Sequence, residues 1–134
     1  MCSAFGLDNS EIFPIFNNFN IEFLKENMYL NKEDIFSIES NRREVFAKSV
    51  LNINNFGKLT IMSDGNVYSN INNTKIGNIE QSLYELIEFE LKNGDSWFNY
   101  RKRKPCNECI YQFLCPSPSN YEQVINKQNL CHIR

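Results

Sequence analysis

The stretch Cys106-Asn107-Glu108-Cys109-Ile110-Tyr111-Gln112-Phe113-Leu114-Cys115-Pro116, answered fifteen residues later by Cys131, decides how this chain is read. Two cysteines separated by two residues turn around one centre, because so short a link forms a tight knuckle. The next turn supplies a third sulfur, and a distant segment closes the set with the fourth. Four thiolates suit either tetrahedral Zn2+ or an iron–sulfur cluster. A zinc ribbon commonly uses two such knuckles, whereas this chain has one. The lone remote cysteine and the Cys115-Pro116 pair lean towards iron–sulfur. The fifth cysteine, Cys2, makes the count odd. An odd count and the expectation of a reducing compartment argue against a disulfide framework and for a metal. Cys2 reads as a free terminal thiol, and His132, adjacent to Cys131 but pointing the other way in extended chain, as a bystander.

Upstream of the knuckle lies Arg101-Lys102-Arg103-Lys104, which reads as a solvated basic turn. Its charge is alternatively suited to offsetting an anionic cluster or steering an acidic partner. Trp97, Phe98, Tyr100, Tyr111 and Phe113 read as the packing shell of the metal segment, and Ser117, Ser119 and Asn120 as turn and capping residues. Further back, Asn78 is placed to cap a helix from Ile79 to about Lys92, with Ile79, Leu83, Leu86, Ile87 and Leu91 on one stripe. Asn93-Gly94 stops it, and a short helix from Asp95 or Ser96 through Tyr100 follows. Lys58 to Met62 and Val67 to Ile71 flank Ser63-Asp64-Gly65-Asn66, a β-hairpin signature in which Asp-Gly accommodates positive φ.

Towards the N-terminus, Asn41 with Glu44 and Asn31 with Asp34 carry capping-box spacing. The former predicts a helix over residues 42–51, with Val45, Phe46, Val50 and Leu51 to bury. Asn20 is placed to cap a helix from Ile21 to about Leu30, with Ile21, Leu24 and Met28 near one face. Residues 1–19, with Phe5, Phe13, Phe16 and Phe19, read as irregular chain packed by its aromatics. The fold class is therefore α+β: a β-hairpin plus amphipathic helices, a cysteine-rich metal-binding C-terminal segment and an N-terminal helical extension.

Composition narrows the function. At 134 residues, 42% hydrophobic and 22% charged, the chain is an ordinary globular one of about one domain. No run of about 18 apolar residues exists, so no spanning helix is expected, and no membrane partner. The opening Met1-Cys2-Ser3-Ala4-Phe5-Gly6 lacks a basic leader and an apolar core, so a soluble cytoplasmic protein is expected. Residues 1–100 carry 8 Lys and Arg against 14 Asp and Glu, and residues 101–134 carry 6 against 2. A weakly basic tail on an acidic body gives no footing for a nucleic-acid partner.

The cysteine segment through Pro116-Ser117-Pro118-Ser119-Asn120-Tyr121, closing with Asn129-Leu130-Cys131, resembles the SPASM domain of radical-SAM peptide maturases. The likeness is closest to the pseudo-radical-SAM/SPASM proteins of GG-type Bacteroidales peptide-modification systems. Phe56-Gly57-Lys58-Leu59-Thr60-Ile61, Asp64-Gly65-Asn66-Val67-Tyr68-Ser69-Asn70 and Gly77-Asn78-Ile79 fit that family's hairpin and helix start. The resemblance implies residues 41–134 as a SPASM-like iron–sulfur domain and residues 1–40 as an extension left from a barrel connection. It also implies that Cys106, Cys109, Cys115 and Cys131 hold one auxiliary 4Fe–4S cluster. The family's other auxiliary cluster uses three positions occupied here by Ser69, Ser82 and Ser119, so it is expected to be absent.

No C-x3-C-x2-C triplet exists to bind S-adenosylmethionine, and the chain is too short for the barrel that carries one. No catalytic residues and no independent enzyme activity are expected. The implied role is an accessory iron–sulfur binding protein in ribosomal-peptide maturation, beside a radical-SAM maturase and its precursor peptide. There the cluster would serve structure, electron relay or peptide docking. The alternative is a zinc-stabilised protein or peptide interaction domain without redox chemistry.

Overall fold

Asp64-Gly65 forms the reversal its sequence predicts. Gly65 sits at φ +80°, and Asp64 accepts hydrogen bonds from the Asn66 backbone N–H at 2.9 Å and from its side-chain amide at 2.6 Å. Strands β1 (Thr60–Ile61) and β2 (Asn66–Tyr68) leave this turn antiparallel, with Thr60 opposite Tyr68 and Ile61 opposite Val67. A third strand, β3 (Gly77–Asn78), pairs antiparallel on the far side of β2. The computed structural model describes residues 17–127 and 129–133. Phe5, Phe13, Phe16 and Cys2 lie outside the described residues; Phe19 within them is 98% exposed, so its ring does not pack as expected.

Helices α1 (Ile21–Met28), α2 (Lys32–Ser37) and α3 (Arg42–Val50) precede the sheet. The capping boxes at Asn31 and Asn41 are both formed, the first side chain accepting from the third helical amide and the carboxylate reaching back. Leu24 on α1 and Ile35 on α2 are buried. Helix α3 departs from expectation: Phe46 and Val50 are exposed, and the buried side chain is Lys48. Its Nζ donates to Ser40 Oγ at 2.8 Å and to the Leu114 carbonyl at 3.4 Å, which lets the ammonium sit inside.

The stripe helix begins later than its apolar spacing predicts. It is α4 (Leu83–Asn93), capped by Ser82 in a box with Glu85. Asn78 belongs to β3 instead, and its side chain accepts from Glu80 N–H in a turn. Leu86 is buried against Val67 and Ile76, with Leu59 packed beside them. Ile79, Leu83 and Leu91 stay exposed.

Helix α4 ends at Gly94 without positive φ: its φ is −80°, and glycine is needed there because an added Cβ would strike the Glu90 carboxylate. That carboxylate is buried and accepts from the Ser96 and Trp97 amides at 3.0 and 3.1 Å. These bonds shape residues 95–100 as turns, not as the expected short helix. The architecture is thus mixed helix and small three-stranded antiparallel sheet, consistent with α+β. Among the described residues no helix is long and apolar enough to cross a membrane.

Polar side chains tie the hairpin region to the cysteine segment. Asn52 is fully buried, and its Nδ2 donates to the Asn99 carbonyl at 3.0 Å and the Pro118 carbonyl at 2.9 Å. Its Oδ1 accepts from the Asn54 and Asn55 amides at 3.0 and 3.2 Å. Ser117 Oγ accepts from Ile53 N–H at 3.2 Å. Among the described residues no buried side-chain nitrogen or oxygen lacks a partner.

Candidate metal centre

Cys106 opens a 3-10 turn, Cys106–Glu108, and the Cys109 amide donates back to the Cys106 carbonyl at 3.1 Å. This is the knuckle that the two-residue spacing predicts. The chain keeps turning, with Gln112 N–H to the Cys109 carbonyl and Cys115 N–H to the Tyr111 carbonyl, each 3.1 Å. Cys131 arrives from outside through a parallel bridge to Leu30, between α1 and α2. The Leu30 amide donates to the Leu130 carbonyl at 3.0 Å, and the His132 amide to the Leu30 carbonyl at 2.9 Å.

Cys106, Cys109, Cys115 and Cys131 all line one cavity of about 500 Å³. Leu30 and Ile35 from the N-terminal helices, Tyr111 from the knuckle segment and Arg101 complete much of its wall. Tyr111 packs edge-on against Phe36 at 5.6 Å between ring centroids, so α2 braces the same wall from outside. Among the described residues no three His, Cys, Asp or Glu side chains approach closely enough to hold a single metal ion.

Burial acts on the thiols of Cys115 and Cys106. Burial pushes the Cys115 thiol up to about 11, with Arg101 opposing and the neighbouring cysteines adding to the rise. Burial raises Cys106 as well, again against Arg101. Both thiols are therefore protonated near neutral pH, and a metal bound there releases their protons. Four cysteines lining one cavity are a donor set of the kind that thiolate-ligated centres use.

The basic run divides at its first residue. Lys102, Arg103 and Lys104 are exposed, whereas Arg101 is buried. Its Nη1 lies 3.0 Å from Glu122 Oε1 and 3.7 Å from Cys106 Sγ, and its Nε donates to the Pro116 carbonyl at 2.7 Å. Glu122 belongs to α5 (Asn120–Val124), which Ser119 caps in a box with that same Glu122. The sequence reading weighs Arg101 only as one of a basic run and does not single out Glu122; the Ser119-to-Glu122 spacing is the available signal for the latter.

His132 stands apart from the thiol cavity. Its Nε2 lies 2.8 Å from the Lys25 carbonyl, which sets the Nε2-protonated tautomer, and its ring lies 5.3 Å from that of Tyr29. The three serines at the family's other cysteine positions have structural partners. Ser69 Oγ bonds Ser96 Oγ at 3.0 Å, and Ser82 and Ser119 cap α4 and α5. Trp97 is buried with its Nε1–H on the Lys58 carbonyl at 3.2 Å and its ring against Phe56, as packing. Comparison with family models, with characterised proteins and with solved structures found no match to this chain.

Proposed function

We propose that this chain is an accessory SPASM-like iron–sulfur protein, holding one auxiliary 4Fe–4S cluster through Cys106, Cys109, Cys115 and Cys131. The observation that carries the reading is that these four residues, spread over 26 positions of sequence, line one cavity. A single zinc draws four sulfurs to about 2.3 Å from one point. A cluster instead gives each thiolate its own iron, so the sulfurs stand further apart. The cavity, at about 500 Å³, leaves room for the larger centre. With four protein thiolates no iron is left open, so the cluster serves structure, electron relay or docking and not substrate ligation.

Cys106 also borders a second, polar cavity of about 320 Å³ rimmed by Lys102, Arg103 and Lys127. In this proposal that face meets the partners, a radical-SAM maturase and its precursor peptide in the cytoplasm. Anaerobic purification and reconstitution, followed by iron, sulfide and zinc analysis and absorption spectra, test the assignment. Four irons and four sulfides per chain with a broad band near about 400 nm are expected. A colourless protein with one tightly held zinc and no sulfide uptake overturns it in favour of a zinc-stabilised interaction domain.

A further inference from the structure

The four cysteines come from three separate stretches of chain, and one buried ion pair touches all three. Arg101 Nε reaches the carbonyl of Pro116, next to Cys115. Its Nη1 reaches Cys106 Sγ and Glu122 Oε1. Glu122 Oε1 in turn accepts from the amide of Leu130, next to Cys131, at 3.2 Å, and Oε2 accepts from Ser119 N–H at 2.9 Å. Cys109 is tied to Cys106 through the knuckle itself.

Two features make this pair unlike a surface salt bridge. Both side chains are under one-tenth exposed, so each charge depends on the other and on the fixed hydrogen bonds around it. Arginine is also the side chain suited to the task, since only its planar fork presents donors in several directions at once. A lysine ammonium at the same place has one nitrogen and cannot reach a carbonyl, a carboxylate and a sulfur in this arrangement.

We infer that Arg101 and Glu122 form a metal-independent frame that positions the cysteine segments around the cavity, with Arg101 as the N–H donor to the Cys106 sulfur. The inference rests on the reading of Cys106, Cys109, Cys115 and Cys131 as ligands, and it adds residues that no cysteine spacing reveals. Partners that orient metal ligands affect affinity by about 10- to 100-fold when removed. A donor on a ligating sulfur also favours the more negative, reduced state of a cluster.

The test uses the full chain with Arg101→Gln, Arg101→Lys, Glu122→Gln and, as a control at an exposed position, Arg103→Gln. In the metal-free protein, the Leu130 amide is expected to exchange slowly in the unaltered chain and at least about tenfold faster in the Arg101 and Glu122 variants. In loaded protein, the Arg101→Gln centre is expected to lose about 10- to 100-fold in competition with a chelator and to have a more negative reduction potential. Arg101→Lys, which keeps the charge, is expected to restore part of the potential but not the Leu130 protection. Arg103→Gln is expected to move neither.

Unchanged potential and chelator competition in Arg101→Gln overturn the donor role, because a purely structural residue moves stability alone. If Arg101→Gln does not fold, the same comparison on Arg101→Lys decides. If the unaltered chain takes up neither iron with sulfide nor zinc, the ligand reading fails. The frame is then judged on amide exchange alone, and fast exchange of Leu130 in the unaltered chain overturns it too.

Discussion

Replacing Asn52 by aspartate exchanges one nitrogen for one oxygen, and the structure says what that exchange does. The side-chain amide is fully buried, and Nδ2 donates to two carbonyls, Asn99 and Pro118. Aspartate keeps the acceptor side, which serves the Asn54 and Asn55 amides. It turns the donor side into an oxygen facing two other oxygens. Losing two hydrogen bonds is worth about 2 kcal/mol, and burying the orphaned groups adds about 1–3 kcal/mol. The expected loss is therefore about 3–5 kcal/mol, a large share of the about 5–15 kcal/mol that holds a domain.

Urea titration followed by Trp97 fluorescence measures it, since Trp97 is the sole tryptophan, is buried, and accepts at its carbonyl from the Asn52 amide at 2.8 Å. With a urea slope of about 1–3 kcal/mol per M, the midpoint is expected to fall by at least about 1 M. Acidification should return part of the loss relative to the unaltered chain, because a protonated aspartate donates to one of the two carbonyls. A midpoint within about 0.3 M of the unaltered chain, or a deficit that does not shrink in acid, refutes the assignment of Asn52 as the staple between these segments.

Gly94→Ala drives a methyl group into the Glu90 carboxylate that holds the Ser96 and Trp97 amides, so about 2–4 kcal/mol of stability and a red-shifted Trp97 emission are expected. Gly57→Ala meets no atom within 4 Å but sits at φ +76°, so only about 1–2 kcal/mol is expected from the same urea titration. Asp64 is held below the usual carboxylate range by the Asn66 backbone and side-chain donors. Its contribution is present above the ordinary carboxylate pKa and is lost as pH falls through the depressed one. Asp64→Ala is thus expected to be less stable than the unaltered chain near neutrality, the difference shrinking only as pH falls below the ordinary carboxylate range. Anaerobic iron and sulfide analysis is expected to show loss of loading in Cys115→Ser and Cys131→Ser and unchanged loading in Cys2→Ser.

What could be read without coordinates was local. The boxes at Asn31 and Asn41 close within four residues, and the Asp64-Gly65 reversal needs only its own hydrogen bonds, so their sequences suffice. The knuckle is equally local, and its spacing already implied that Cys106 and Cys109 face one space. The errors arise where a distant segment intervenes. Asn78 has the composition of a cap, but β2 recruits it as a strand residue, and the start of α4 moves to Ser82. Helix α3 offers Phe46 and Val50 for burial, yet Ser40 and the Leu114 carbonyl draw Lys48 inside. Arg101 looked like the first of four solvated charges until Glu122, remote in sequence, gave it a buried partner. No residue pattern around Leu30 announces that it will pair with Cys131.

That pairing also governs how the cavity opens. Leu30 and Cys131 are roughly a hundred residues apart, so the bridge closes the longest loop through the site and carries the largest entropic burden. Two backbone hydrogen bonds, together about 2 kcal/mol, fasten it, beside the Glu122 bond to the Leu130 amide and the His132 contact with the Lys25 carbonyl. Opening it breaks neither the Cys106–Cys109 turn bond nor the bond of the Cys115 amide to the Tyr111 carbonyl. If the thiols hold the proposed centre, its exchange is expected to proceed by local opening of this bridge, with the sheet and α4 intact.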